Sequence, residues 1–436
     1  MTNRVFTIIL AATLGWFSLP FSFAQAPQAS APQSLSLKEA ETIALKNHPL
    51  VQAAQLSALA ARQVVTEVKS VYYPFAYGSL TGAGALNDSR IAAGGLNNPI
   101  IYNRYANGVT VSQLVTDFGR THELVASSSL HAQAQGESAR ATREDVLLQV
   151  DGAYYGALRA QALLTVAEET VKQRQLVADQ ITELAKSKLK SGLDVSFANV
   201  NLAETKLMLV SAQNDVTAAF AQLSAALGYQ DNRTFSLVDE SLSAPPPPDV
   251  SDLVAQAMHN RPELASLRFD SQSAHRFAKA ERDLWFPTVS FAGSAGLIPF
   301  HQDTLTNRYA AAGLNINIPI FNGRLYSARA AEARLRAEAA DQSLRDEADR
   351  VARDVRLAWS NALTGFQRLA LTQQLLDHAN LALDLAQQRY KLGLGSIVEL
   401  SQAQLNQTQA RIEHARAKYD YQAQIANLNY QVGALH

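Results

Sequence analysis

Landmarks along this chain occur twice in one order, and that duplication constrains the fold more than any other feature. "NHPLV" at 47–51 returns as "NRPEL" at 260–264, and "VYYPF" at 71–75 as "LWFPT" at 284–288, both 213 residues later. "NRYANGVTVSQLVTDFGR" at 103–120 returns as "NRYAAAGLNINIPIFNGR" at 307–324, 204 residues later. The glycine segment "KSGL" at 190–193 matches "KLGL" at 391–394, and "ALG" at 226–228 answers "QVG" at 431–433. Five ordered matches define a repeated unit of about 200 residues. The units, 37–241 and 251–436, meet at a connector over 242–250 whose four consecutive prolines make it stiff and extended.

Each unit has the same grammar. Helices are expected over 37–73 and 251–286, a short one and then a second. Val51, Ala54, Ala58, Ala61, Val65 and Val68 follow heptad spacing, as do Leu264, Leu267, Ser271, Ala274, Ala278 and Glu281. Pro74 and Pro287 stop these helices. The period then changes to two, predicting strands at 75–86, 105–116, 288–298 and 309–320. Gly119 and Gly323 mark the exits from the second strand of each unit into long proline-free stretches, 120–228 and 325–432. A globular helix averages only ~11–12 residues, so these are walls of a coiled coil or a tube. Each is read as a helical hairpin, with tips near 190–195 and 391–396. Glycine tolerates the positive φ such a reversal needs, and the turn lets Ala386 and Tyr390 pack against Leu405, Ile412, Ala415 and Tyr419. The fold class is therefore mostly α with a small β part.

Arg4, the apolar run after it and the small residues near Ala24 and Ala26 read as a secretory signal peptide over 1–24, followed by a flexible segment over 25–36. With a formal charge of −1 the chain has no electrostatic footprint for nucleic acid. It contains no cysteine, which excludes disulfides, thiolate nucleophiles, Cys-ligated zinc and N-terminal lipidation. The nine histidines form no i, i+4 pair, and no Walker loop, HExxH or GxSxG occurs, so neither a catalytic site nor a cofactor is expected.

Four strands of ~9–11 residues in an exported chain suit a membrane barrel, yet four cannot close one. Closure would require several chains. Aromatics gather at the strand ends (Tyr72, Tyr73, Phe75, Tyr77, Tyr102 and Tyr105; Trp285, Phe286, Phe300 and Tyr309), as rings do at a lipid–water boundary. A soluble β-subdomain packed on the helices is the alternative.

The duplicated plan, "YYP" and "WFP" before strands, "LVTDFGR" and "IPIFNGR" after them, and the tip "YKLGLGSIVELSQAQL" resemble the TolC-type outer-membrane channel family over essentially the whole mature chain. The resemblance implies a homotrimer with a 12-stranded barrel in outer-membrane lipid and a periplasmic tube, joined to a periplasmic adaptor and an inner-membrane pump. It implies a tip-gated efflux channel, or alternatively the channel of a type I secretion system. A periplasmic coiled-coil adaptor is the competing class. Tyr390 falls on a gating tyrosine and Glu399 on an entrance acid. The gating arginine is replaced by Gly395, the second entrance acid by Gln402, and the first-copy acid by Ala198, so Asp194 or Lys391 would have to complete the lock. Gly192, Leu193, Gly393 and Leu394 match the tip motif that meets adaptor hairpins. The amide-rich returning helix (Gln402, Gln404, Asn406, Gln422) is expected to offer an uncharged polar lining.

Overall fold

The computed structural model describes residues 34–86, 88–90, 100–301, 303 and 305–435. The signal peptide lies outside them. So does most of the segment expected to be flexible, but its last residues are ordered. Strand β1 (Ser34–Leu35) pairs in parallel with β4 (Ser236–Leu237), and Leu35 is buried.

The first repeat runs α1 (Leu37–Asn47), α2 (Pro49–Lys69), β2 (Phe75–Ala83), β3 (Arg104–Thr116), α3 (Arg120–Lys186) and α4 (Gly192–Ala226). The second runs α5 (Ser251–Asn260), α6 (Pro262–Arg282), β5 (Thr288–His301), β6 (Arg308–Asn317), α7 (Leu325–Lys391) and α8 (Ile397–Val432). Local chemistry sets these limits. Ser36 and Glu39 form a capping box at the start of α1. Pro49 and Pro262 occupy first-turn positions, where no amide is needed. All four hairpin helices end in the same way: the amides of Leu189, Tyr229, Leu394 and Ala434 bond to carbonyls five residues back, behind positive-φ residues Lys188, Gly228, Gly393 and Gly433.

Both α3 and α7 have 67 residues, roughly 100 Å each. Contacts run from α2 and α4, through α3, then α6 and α8, to α7. One long helix thus carries shorter helices end to end, and α2, α4 and α7 form the lateral margins. Three apolar cores hold the layer. The first joins α1, α3, α4 and α8 around Tyr154, Leu223 and Tyr419, and the second joins α5 to α8 around Leu264 and Val355. The third lies near the tips, where Ala178, Ile181, Ala198 and Leu202 meet Leu383, Ile397 and Leu400. Tyr419 therefore belongs to the first core, and Leu405 is exposed, contrary to the expected packing of both against Ala386 and Tyr390.

The strands form one antiparallel sheet in the order β2-β3-β5-β6. Three strand ends differ from expectation. β2 stops at Ala83 rather than 86, and β6 stops at Asn317 rather than 320, just before Pro319, which has no amide for a ladder. β5 instead runs past Pro299, because the β3–β5 pairing jumps from Asn107–Leu297 to Tyr105–Phe300 and leaves the proline in a bulge. No described helix is long and apolar enough to cross a membrane, which says nothing about strands.

Candidate functional site

At the sheet, Phe75, Tyr77, Trp285 and Phe286 stand exposed at one end, and Tyr105 and Phe300, which pair in register, at the other. The eight steps from Phe75 to Ala83 span about 27 Å, close to the apolar band of a transmembrane barrel. Between the ends, Leu80, Val109, Leu297, Leu314 and Ile316 are exposed as well. Gly296 is required at its position: a Cβ there would lie 2.6 Å from the Tyr309 ring. Among the described residues, strands β2 and β6 each have a partner on one side only, so the sheet ends in two open edges.

Below the sheet, buried carboxylates fix its mounting on the helices. Glu123 accepts from Arg276, at 3.2 Å, and from Lys279. Glu281 takes Arg329 at 2.7 Å and Arg120 at 3.7 Å. These four cations tie the start of α3 and of α7 to α6.

At the opposite end, the tips correct the glycine correspondence drawn from sequence. The positive-φ residue ending α3 is Lys188 (φ 60), and the one ending α7 is Gly393 (φ 75). The next helices are capped by Ser191 and Ser396. Gly393 therefore corresponds to Lys188, not to Gly192, which is the first residue of α4 and has no positive φ. The counterpart of Glu399 is then Asp194, not Ala198. A similar slip occurs at the strand exits. Gly119 (φ 107) follows Phe118 (φ 56), whereas Gly323 (φ 60) precedes Arg324 (φ 70), so Gly323 corresponds to Phe118.

Asp194 and Glu399 occupy equivalent positions but work differently. The Asp194 carboxylate accepts from the Ser191 amide and hydroxyl, both at 3.0 Å, completing a capping box. Ser396 caps the Glu399 amide at 3.1 Å, but the Glu399 carboxylate turns to Arg389 Nε at 3.0 Å. Arg389 also donates to the Leu394 carbonyl at 3.1 Å. A Cβ at Gly395 would lie 3.2 Å from the Glu399 carboxylate and 3.3 Å from Arg389 Cβ, so glycine there leaves room for this pair. Within the chain, the ion pair of the second tip is thus made by Arg389 and Glu399.

Tyr390 meets the first hairpin. Lys190 Nζ sits 3.9 Å above its ring centroid, while the Tyr390 hydroxyl is buried without a partner. Lys391 lies with them in the groove between the hairpins, whose walls include Ile181, Leu184, Leu189 and Leu400. Farther from the tips, Asn201 donates to Ser401 at 2.9 Å, and Arg411 pairs with Glu169 at 2.9 Å, both between repeats. Lys190 and Arg389 escaped the sequence reading. Each meets a partner that no local pattern marks, Lys190 an aromatic of the other repeat and Arg389 a carboxylate across the turn. Leu189, Leu193, Leu392 and Leu394 are 66–74 % exposed and form an apolar surface on the two tips. Gln402 bonds along its own helix, to Asn406 at 2.9 Å. Gln404 and Gln422 are buried, and Gln422 ties α8 to the connector through Ser243 and the Ser241 carbonyl, so neither amide offers a wet lining.

This architecture recurs among known proteins. Outer membrane protein TolC of Escherichia coli is 23 % identical over 354 residues, covering 78 % of this chain and 71 % of that protein. The alkaline protease secretion protein AprF of Pseudomonas aeruginosa is 23 % identical over 416 residues, covering 92 % and 85 %. The Campylobacter jejuni CmeC outer membrane channel superposes with a TM-score of 0.81 at 18 % identity, covering 91 % of this chain and 85 % of that one. The outer membrane efflux protein pattern matches residues 42–229 and 253–434, nearly the whole of both repeats, and the chain belongs to that family.

Proposed function

We propose that three copies of this chain form an outer-membrane efflux channel: a 12-stranded barrel through the lipid, continued by a periplasmic helical tube. The observation that carries this reading is the four-stranded sheet with two open edges, apolar exposed side chains between aromatic ends, and membrane-matched length. Unpaired backbone groups cost several kcal/mol each in hydrocarbon, so such a sheet enters lipid only if copies join edge to edge. The helical layer has the same incompleteness, since α2, α4 and α7 are margins with exposed Leu56, Leu207 and Leu371. Closure at both levels is met by one symmetric ring.

The tube is a passive exit. An inner-membrane pump supplies the driving force and a periplasmic adaptor joins pump to channel, meeting the exposed leucines of the tips. The Lys190–Tyr390 contact and the Arg389–Glu399 pair set the resting shape of the entrance. A coiled-coil adaptor role fits poorly, because two pairs of membrane-length strands would then have no lipid to enter. The channel reading is tested by membrane fractionation and planar-bilayer recording. The protein should resist salt and carbonate extraction, migrate as a three-copy particle and conduct ions. A freely soluble monomer with all four strands intact would refute it.

A further inference from the structure

Arg174 on α3 is 7 % exposed, yet no ion pair or hydrogen bond holds it among the described residues, and its Nε is sealed from solvent with no acceptor. Burial pulls its guanidinium down to about 10, and Glu204 on α4 acts on it only from beyond ion-pair distance. A buried, unpaired charge is costly and calls for a counterion. Arg174 lines a cavity of about 290 Å³ between α3, α4 and α8, and Glu204 and the amides of Asn201 and Gln402 line it too. Its apolar wall is Phe197, Met208, Val398 and Leu405, of which Phe197, Val398 and Leu405 are exposed.

The remaining donors narrow the ligand class. The hydroxyls of Thr205 and Thr408, also in the lining, are spent on carbonyls of their own helices, at 2.9 and 3.0 Å. Ser401 Oγ accepts from Asn201, which leaves its own O–H proton to donate. The lining thus offers the Arg174 guanidinium and the Ser401 hydroxyl together with an aromatic, a thioether and two branched aliphatic chains, a set that matches a charged head on an apolar body. We propose that this cavity binds a small organic carboxylate, its head on Arg174 and Ser401 and its body against Phe197, Met208, Val398 and Leu405. Because the walls come from α4 and α8, an occupant would tie the first repeat to the second just above the tips.

The probe is benzoate, titrated at constant ionic strength into the full-length protein in nanodiscs of zwitterionic lipid, with thermal unfolding as the readout. A ligand that binds the folded state raises the unfolding temperature saturably. Acetate supplies the head without the body, and inorganic phosphate an oxyanion without it. Benzoate should bind at least roughly tenfold tighter than either, and Arg174→Gln should weaken it roughly tenfold or more. Arg174→Lys should fall between the two, and Glu204→Gln, which removes a repelling carboxylate, should tighten binding. If Arg174→Gln does not fold, Arg174→Lys and Ser401→Ala carry the test. No saturable shift with benzoate, phosphate or acetate binding as tightly, or affinity unchanged in the Arg174 and Ser401 variants would overturn the assignment.

Discussion

Replacing Lys190 by Gln removes the ammonium from the Tyr390 ring, 3.9 Å away, and with it a contact between the two hairpin tips. Both side chains are half-buried, where a cation–π contact contributes about 0.5–1 kcal/mol. Three symmetric copies moving together would lose about 1.5–3 kcal/mol, which shifts a closed–open equilibrium roughly tenfold to a hundredfold. Tyr390→Phe supplies the control. It keeps the ring and deletes only a hydroxyl that is buried without a partner, so its closed state should be unchanged or slightly favoured. Tyr390→Ala, by contrast, should behave like Lys190→Gln or more severely. The assay is resting conductance of single channels in planar bilayers, with uptake of a bulky antibiotic by intact cells as a second readout. Wild-type conductance in Lys190→Gln, or a Tyr390→Phe channel as leaky as Tyr390→Ala, would refute the reasoning.

Other expectations concern the helical body and the tips. Glu144 is 4 % exposed, and its Oε2 has no partner; burial first, then the Glu263 carboxylate, lift it from 4.5 to about 7. The folded state therefore holds a proton that the unfolded chain releases above about pH 4.5. Stability should fall by up to roughly 3 kcal/mol as pH rises from there through 7, and Glu144→Gln should flatten that slope in pH-dependent thermal unfolding. Gly228 (φ 79) and Gly433 (φ 74) stack on the breaks between α1 and α2 and between α5 and α6, and a Cβ on either would lie 3.0 Å from a backbone carbon. Alanine at each should cost at least about 1–2 kcal/mol, read as a lower unfolding temperature. Gly393→Asp places a charge among the exposed tip leucines and should reduce export in a deletion strain while leaving assembly intact. Full export would exclude the tip as the adaptor contact.

The elements that sequence reveals here are those enforced by steric rules. Pro74 and Pro287 end helices because a proline ring blocks a further turn, and alternation marks strands because successive side chains point to opposite faces. Heptad spacing likewise placed Val51 and Ala58 on the buried face of α2 and Leu264 on that of α6. Glycine proved a weaker guide. The αL geometry at each turn recurs in both repeats, but Lys188 and Phe118 adopt it without glycine, so matching glycines misaligned one tip by four residues and one strand exit by one. Side-chain partnerships were hidden for a different reason. Arg389 reaches Glu399 across a turn, and Lys190 reaches Tyr390 from 200 residues away in sequence, so no local pattern records either. The amides of α8 misled because polarity alone does not distinguish a wet face from buried bonds such as those of Gln422.

Amide hydrogen exchange on the protein reconstituted in lipid examines the outer strands of the sheet directly. If neighbouring copies seal the edges, amides of Phe75–Ala83 and Arg308–Asn317 should exchange as slowly as those of the central strands Arg104–Thr116 and Thr288–His301. Rapid exchange along the outward-facing amides of both outer strands, with the central pair still protected, would mean the sheet stays open and no shared pore forms.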